Sequence, residues 1–334
     1  MEDIGYLQRL LEASEIAFGP DHPDTLDIRG YLAQAFVDDG QKDEAIALYR
    51  ALLVDAERVF GLDHPKTLDL RCCLLYLILE TGPVAETVIQ LQALSEDMER
   101  VFGADHPKTL YARCGLAQAL SHAGQKDEAI ALYRALLVDE ERVLGPGQPD
   151  ALKVSNNLAN TLFEAGQEDE AIVLYETLLP DMERVLGAEH PDTLAARFNL
   201  AQALRAAGQT NEAIATYKMS LAGRTKVLGS EHPDTLLTRA CLAASLAKAG
   251  QMEKAIKEYR SLLASHSRVL GDDHSETLST RAYLSWTLAK AGQVAEATAL
   301  YEDLRIDLDI TLGLDDPFSS DLCSHLDEAL LKGS

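Results

Sequence analysis

Apolar positions recur along this chain at helical spacing, and the whole pattern returns every 42 residues. In the first full unit Leu26, Leu32, Ala33 and Phe36, with Arg29 among them, fall on one stripe at the spacing of a helix face. A second stripe follows at Ala45, Tyr49, Leu52, Leu53 and Ala56. Polar residues fill the positions between, so each stripe predicts an amphipathic helix of about 17 residues, or about 25 Å. Glycine punctuates both helices. It stands every 21 residues from Gly19 to Gly313, fifteen in a row, where a left-handed helix end needs a residue without Cβ.

The starts are as regular as the stops. His22 precedes Pro23, which pushes the histidine to the extended backbone of an N-cap. Pro23 fits the first helical position, where its missing N–H costs nothing, and Asp24 faces the positive end of the helix dipole. Loops of a few residues then make consecutive helices antiparallel neighbours. The expected architecture is one all-α solenoid domain over residues 1–334. Residues 1–18 hold a lone helix, 19–312 hold seven helix pairs, and 313–334 hold a lone C-terminal helix, about sixteen helices in all.

Composition narrows the partners. The formal charge is −24, from 54 acidic against 30 basic residues, and such a field repels a phosphate backbone. No nucleic acid partner is expected. The start, Met1-Glu2-Asp3, lacks the basic and apolar regions of a signal peptide, and no apolar run reaches the roughly 20 residues of a membrane helix. With five cysteines at no disulfide-like spacing, the expected setting is cytoplasmic, away from membranes.

The pattern Arg29-x2-Leu32-Ala33-x2-Phe36, followed by Ala45-x3-Tyr49, resembles the tetratricopeptide repeat. The 42-residue period, the Gly-x-x-His-Pro-Asp-Thr-Leu junction and the run Asn156-Asn157-Leu158-Ala159 resemble the longer type found in kinesin light chains and in bacterial signalling proteins. The resemblance implies a right-handed superhelical solenoid that binds protein or peptide in its concave groove, as the sensor or adaptor part of a larger protein. One departure is arginine at the family's tryptophan position, in Arg29, Arg71, Arg113, Arg197, Arg239 and Arg281. A guanidinium on an inward stripe needs an acid, and the Glu44 column, which recurs as Glu86, Glu128, Glu170, Glu212 and Glu296 and is broken by Lys254, is one candidate source.

No catalytic motif stands out. There is no Gly-Lys pair for a phosphate loop, and Ser245-x-x-Lys248 lies inside a repeated helix. The junction histidines are spread one per repeat, as caps rather than metal ligands, so neither metal nor cofactor is expected.

By the resemblance, the first helices line the groove. Their variable columns nominate Asn156, Asn157, Asn160, Asn199 and Gln202 to hold a peptide backbone, Tyr76, Tyr111, Phe198 and Trp286 as apolar anchors, and Lys153 as a lone cation. The surplus of acid favours a basic or amphipathic segment. Repeat four stands apart, with Gln148 in place of the histidine, Ser155 in place of the arginine, and Pro180 inside its second helix.

A second reading makes the array a structural spacer or self-assembly module. Its end helices, through Ile4, Leu7 and Leu11 or Leu322, Leu326 and Leu330, would join copies into a homo-oligomer. An excised piece of a longer protein explains the same uncovered ends, and the terminal Lys332-Gly333-Ser334 favours excision.

Overall fold

The computed structural model describes residues 4–145 and 147–311, and every regular element among them is an α-helix. The contacts group the chain into two compact units, residues 1–166 and 167–334. The first holds α1 (Ile4–Phe18), α2 (Pro23–Asp38), α3 (Lys42–Phe60), α4 (Pro65–Thr81), α5 (Val84–Phe102), α6 (Pro107–His122), α7 (Lys126–Leu144) and α8 (Pro149–Glu164). The second holds α9 (Glu168–Val185), α10 (Pro191–Ala206), α11 (Thr210–Leu228), α12 (Pro233–Lys248), α13 (Met252–Val269), α14 (Ser275–Lys290) and α15 (Val294–Thr311). Within each unit every helix packs on the next, and in the first unit α6 also touches α4 and α8. The helix expected at 313–334, with Leu322, Leu326 and Leu330, lies outside the described residues.

The junction chemistry works as the sequence implies. His22, His64, His106, His190, His232 and His274 each take an extended backbone, and Nδ1 accepts a hydrogen bond from the N–H two residues on, at 3.2 Å. That satisfies one of the donors a helix start leaves over. Gln148 makes no such side-chain bond at the start of α8. Gly40 has φ +79°, in the left-handed region, but Gly82 is extended at φ −106° because Pro83 follows it. Helix α9 runs on past Pro180, which is exposed.

Each core repeats its own residues. The Ala45 column (Ala129, Ala171, Ala213, Ala255, Ala297) is fully buried, letting neighbouring helices approach closely. The Tyr49 column (Tyr133, Tyr175, Tyr217, Tyr259, Tyr301) fills the space beside it, and Leu91 does so in the second repeat. At α1 the structure redraws the expected uncovered face. Leu7 is buried and Ile4 and Leu11 are half-buried against Leu32 and Phe36 of α2, whereas Tyr6, Leu10, Ile16 and Phe18 face outward.

The stripe arginines do find acids, though not in the Glu44 column. Arg29 bonds Asp55, Arg71 bonds Asp97 and Arg113 bonds Asp139, at 2.8–2.9 Å, and Arg281 bonds Asp307. The reason is antiparallel packing. Arg29 lies in the first half of α2 and so faces the second half of α3, where Asp55 stands, rather than its first turn with Glu44. Gly223 occupies this column in repeat five, and there Arg197 turns to Glu183. Arg142, then Arg113, hold the Asp139 carboxyl below the usual range.

Candidate partner-binding site

In the first unit the first-type helices α2, α4, α6 and α8 form a ladder of side chains one repeat apart. Asp27 receives Lys66 Nζ at 2.7 Å, and Asp69 receives Lys108 Nζ at 2.5 Å. A cavity of about 330 Å³ opens beside the first rung, lined by Asp27, Tyr31, Gln34, Lys66, Asp69 and Cys73 among others. At the third rung the chemistry changes. Tyr111 stands where the aspartate would be, and Asp150 where the lysine would be.

Around that third rung three of the nominated residues come together. The Tyr76 and Tyr111 rings stack at 4.5 Å, and the Tyr76 hydroxyl donates to the Tyr111 carbonyl at 2.8 Å. Lys153 Nζ lies 5.4 Å from the Tyr111 ring centre, within reach of its negative face. The stack needs Gly115, because a Cβ there would meet the Tyr76 ring at 2.8 Å. Burial pushes the Tyr111 phenol up to about 12 and the Cys114 thiol up to about 11, so both stay neutral at ordinary pH. Tyr111 is nevertheless 45% exposed.

The asparagines are less available than their sequence suggests. Asn157 is half-buried and directs Nδ2 to Cys114 Sγ at 3.9 Å. Asn156 is half-buried too, its Oδ1 buried without a hydrogen-bond partner among the described residues, and Asn160 is half-buried on the next turn.

In the second unit Gln202 Oε1 accepts from Tyr217 at 2.7 Å and from Arg205 at 3.3 Å, and Asn199 is half-buried. Phe198, nominated as an apolar anchor for a partner, is a core residue at 7% exposure. It lies one position off the variable column, edge-on to Tyr217 and 4.6 Å from the Arg224 guanidinium. Trp286 is partly buried against Leu278 and Ala282, with Lys290 Nζ 5.7 Å from its ring.

One residue of the third rung was not anticipated. Glu140, on α7, sits in a column that holds buried Ala56, Met98 and Met182 and, in the second unit, buried Arg224 and His266, and it lines the notch between α6 and α8. The 42-residue spacing could have revealed it, as an acid at an apolar position. Among the described residues no group of three or more histidine, cysteine or carboxylate side chains is placed to hold a metal ion. No helix among them is long and apolar enough to cross a membrane.

Two descriptions of the tetratricopeptide repeat match the chain, one over residues 150–226 and 234–305, the other over 25–66 and 109–150. Together they cover well over half of it. The chain belongs to the tetratricopeptide-repeat family. Similar solved structures include a putative kinesin light chain with nearly identical TPR-like repeats from Podosopora anserina, 29% identical over 62% of this chain and 98% of that one, with TM-score 0.57. BtubC from P. vanneervenii is 17% identical over 74% of this chain and 93% of that one, with TM-score 0.52. A signal-transduction ATPase with a tetratricopeptide-repeat sensor, from Pyrococcus horikoshii, is 15% identical, with TM-score 0.62. The match covers 98% of this chain and 43% of the ATPase. At these last two identities the likeness is one of fold. No curated protein matches the chain.

Proposed function

We propose that this tetratricopeptide-repeat array is a non-catalytic scaffold that holds a protein or peptide segment along its first-helix face. The observation that carries the reading is the third rung of the first unit. There the ladder of satisfied Asp–Lys pairs gives way to the Tyr76–Tyr111 stack, Lys153 and unpaired acid. Such a step offers a rigid aromatic surface with charge around it, the mixture that anchors partners at interfaces. The segment is basic or amphipathic, in keeping with the charge of −24. The array serves as the sensor or adaptor part of a larger, cytoplasmic signalling protein. Asn156, Asn157, Asn160 and, in the second unit, Asn199, Gln202 and Trp286 remain candidates for polar and edge contacts, and Phe198 is withdrawn.

Affinity capture from the source lysate, read by mass spectrometry, tests this. The wild type is run beside Tyr111→Ala and beside an outer-face control, Val138→Ser, whose residue is exposed on α7. A partner kept by the control and lost with Tyr111→Ala supports the reading, and equal retention by all three rejects it.

A second reading, self-assembly, is favoured by α1, where Tyr6, Leu10, Ile16 and Phe18 face outward and Ile16 is 88% exposed. It requires a mass that rises with concentration in light scattering and falls to that of a monomer with Ile16→Asp.

A further inference from the structure

The column that contains Glu140 shows how this fold treats a polar residue in an apolar place. Ala56, Met98 and Met182 need no partner. Arg224 donates to the Asp234 carbonyl and to Thr238 Oγ1, both at 2.9 Å, and His266 Nδ1 meets Thr280 Oγ1 at 3.0 Å. Both threonines lie fourteen residues on. Fourteen residues on from Glu140 is Val154, which has nothing to offer. Glu140 is 3% exposed, and its Oε2 has no hydrogen-bond partner among the described residues. A buried carboxyl oxygen left this way costs the fold free energy unless something else meets it.

Glu140 lines a notch of about 30 Å³ between α6, α7 and α8. Its walls are Leu110, Tyr111 and Cys114 on one side and Asp150, Lys153 and Val154 on the other, with Pro107 at the rim. The notch coincides with the broken rung, where an ammonium has been replaced by Asp150. Asp150 is exposed and makes no ion pair among the described residues. This step has therefore exchanged the rung's aspartate for an aromatic face and its lysine for a carboxylate, with a second carboxyl group, Glu140, beside them.

We propose that this notch is a subsite for a lysine-type ammonium group of the bound partner, held between Glu140 and Asp150 against the Tyr111 ring. The inference rests on the protein-binding reading above and names the chemistry that reading takes. The notch has room for an ammonium head, and two carboxyl groups beside an aromatic ring suit a compact point charge. Tyr111 supplies a cation–π face, and Leu110 and Val154 suit an alkyl stem. A metal ion is a poorer fit, since no three histidine, cysteine or carboxylate side chains among the described residues are placed to hold one. Every charged or titratable group that faces Glu140 has a place in the scheme. Tyr111 and Cys114 stay neutral, Asp150 adds charge, and Asp139, next on α7, is already paired with Arg113 and Arg142. Lys153, on the Tyr111 ring, is the intramolecular competitor. Burial, then the Asp150 charge, push Glu140 up to about 7, so an arriving ammonium would draw off its proton.

The test uses the full chain and two probes, N-acetyl-lysine methylamide and its norleucine analogue, each at tens of millimolar. Amide shifts are followed by NMR near pH 8 and near pH 6. The lysine probe is expected to move the amides of Tyr111, Cys114 and Lys153 near pH 8 and to bind severalfold more weakly near pH 6. The norleucine probe should leave them in place. Glu140→Met, which copies the buried Met98 and Met182, should abolish the shifts while amides elsewhere stay unchanged. Lys153→Met, which removes the competitor, should tighten binding. Equal shifts from norleucine, shifts that survive Glu140→Met, weaker binding in Lys153→Met, or no shift in the wild type would each overturn the subsite. If the probe fails while Tyr111→Ala still loses a captured partner, the face stands as the binding surface and only the ammonium subsite falls.

Discussion

A single carboxyl group, Glu140, sets the pH behaviour of the first unit's core. Its folded-state value is raised by burial to about 7, while the unfolded chain releases the same proton at the ordinary glutamate value of 4.5. Between those two values the folded state holds a proton that the unfolded state has lost. Stability therefore falls as pH rises through this window and stays lowered above it. At 1.36 kcal/mol per unit the loss is about 3 kcal/mol. Glu140→Met should recover about that much near pH 8 and much less near pH 5, read from urea midpoints at the two pH values. An equal gain at both would mean that shape, not charge, is the fault at this position.

At the scale of one helix, the caps separate repeat four from its neighbours. The histidine cap is worth about 1 kcal/mol by analogy with other N-caps, so His106→Ala should cost about that. Gln148→His, ahead of a proline already in place, should gain about 0.5–1 kcal/mol and slow amide exchange in the first turn of α8. An unchanged exchange rate would show that the lost cap is not what distinguishes this helix. Gly115→Ala tests the neighbouring helix. Its new Cβ would push into the Tyr76 ring, cost about 1–3 kcal/mol and disturb the near-ultraviolet signal of the Tyr76–Tyr111 stack.

These elements were legible because each has a local cause: His-Pro before α2, glycine after it, a stripe between. The partner of Arg29 was not. The second helix offers acid at both ends, and only the antiparallel placement of α3 selects Asp55 over Glu44. Nor could the sequence show that Asn157 is committed to Cys114, Gln202 to Tyr217, or Phe198 to the core, since a variable column looks the same whether it meets a partner or its own neighbour.

Over the whole chain, the charge of −24 acts on encounter and the notch acts on retention, and the two can be separated. Exposed ion pairs such as Arg100–Asp63 and Arg142–Asp105 add little to stability, because water and salt screen them. Their unpaired acidic neighbours still sum to a long-range field that draws a basic segment in. Raising salt from about 0.05 M to about 0.5 M shortens the screening length from about 14 Å to about 4 Å, so the field fades while contacts inside the notch persist. The association rate of a captured basic partner should then fall by about tenfold or more, with the dissociation rate little changed. Glu140→Met should do the opposite. It removes one charge of many, leaving association nearly intact, but it takes the carboxyl from the notch, and dissociation should quicken at both salt concentrations. Surface plasmon resonance with the partner immobilised reads both rates. If salt acts on dissociation as strongly as on association, the partner is held by exposed charge alone, and the buried notch takes no part in holding it.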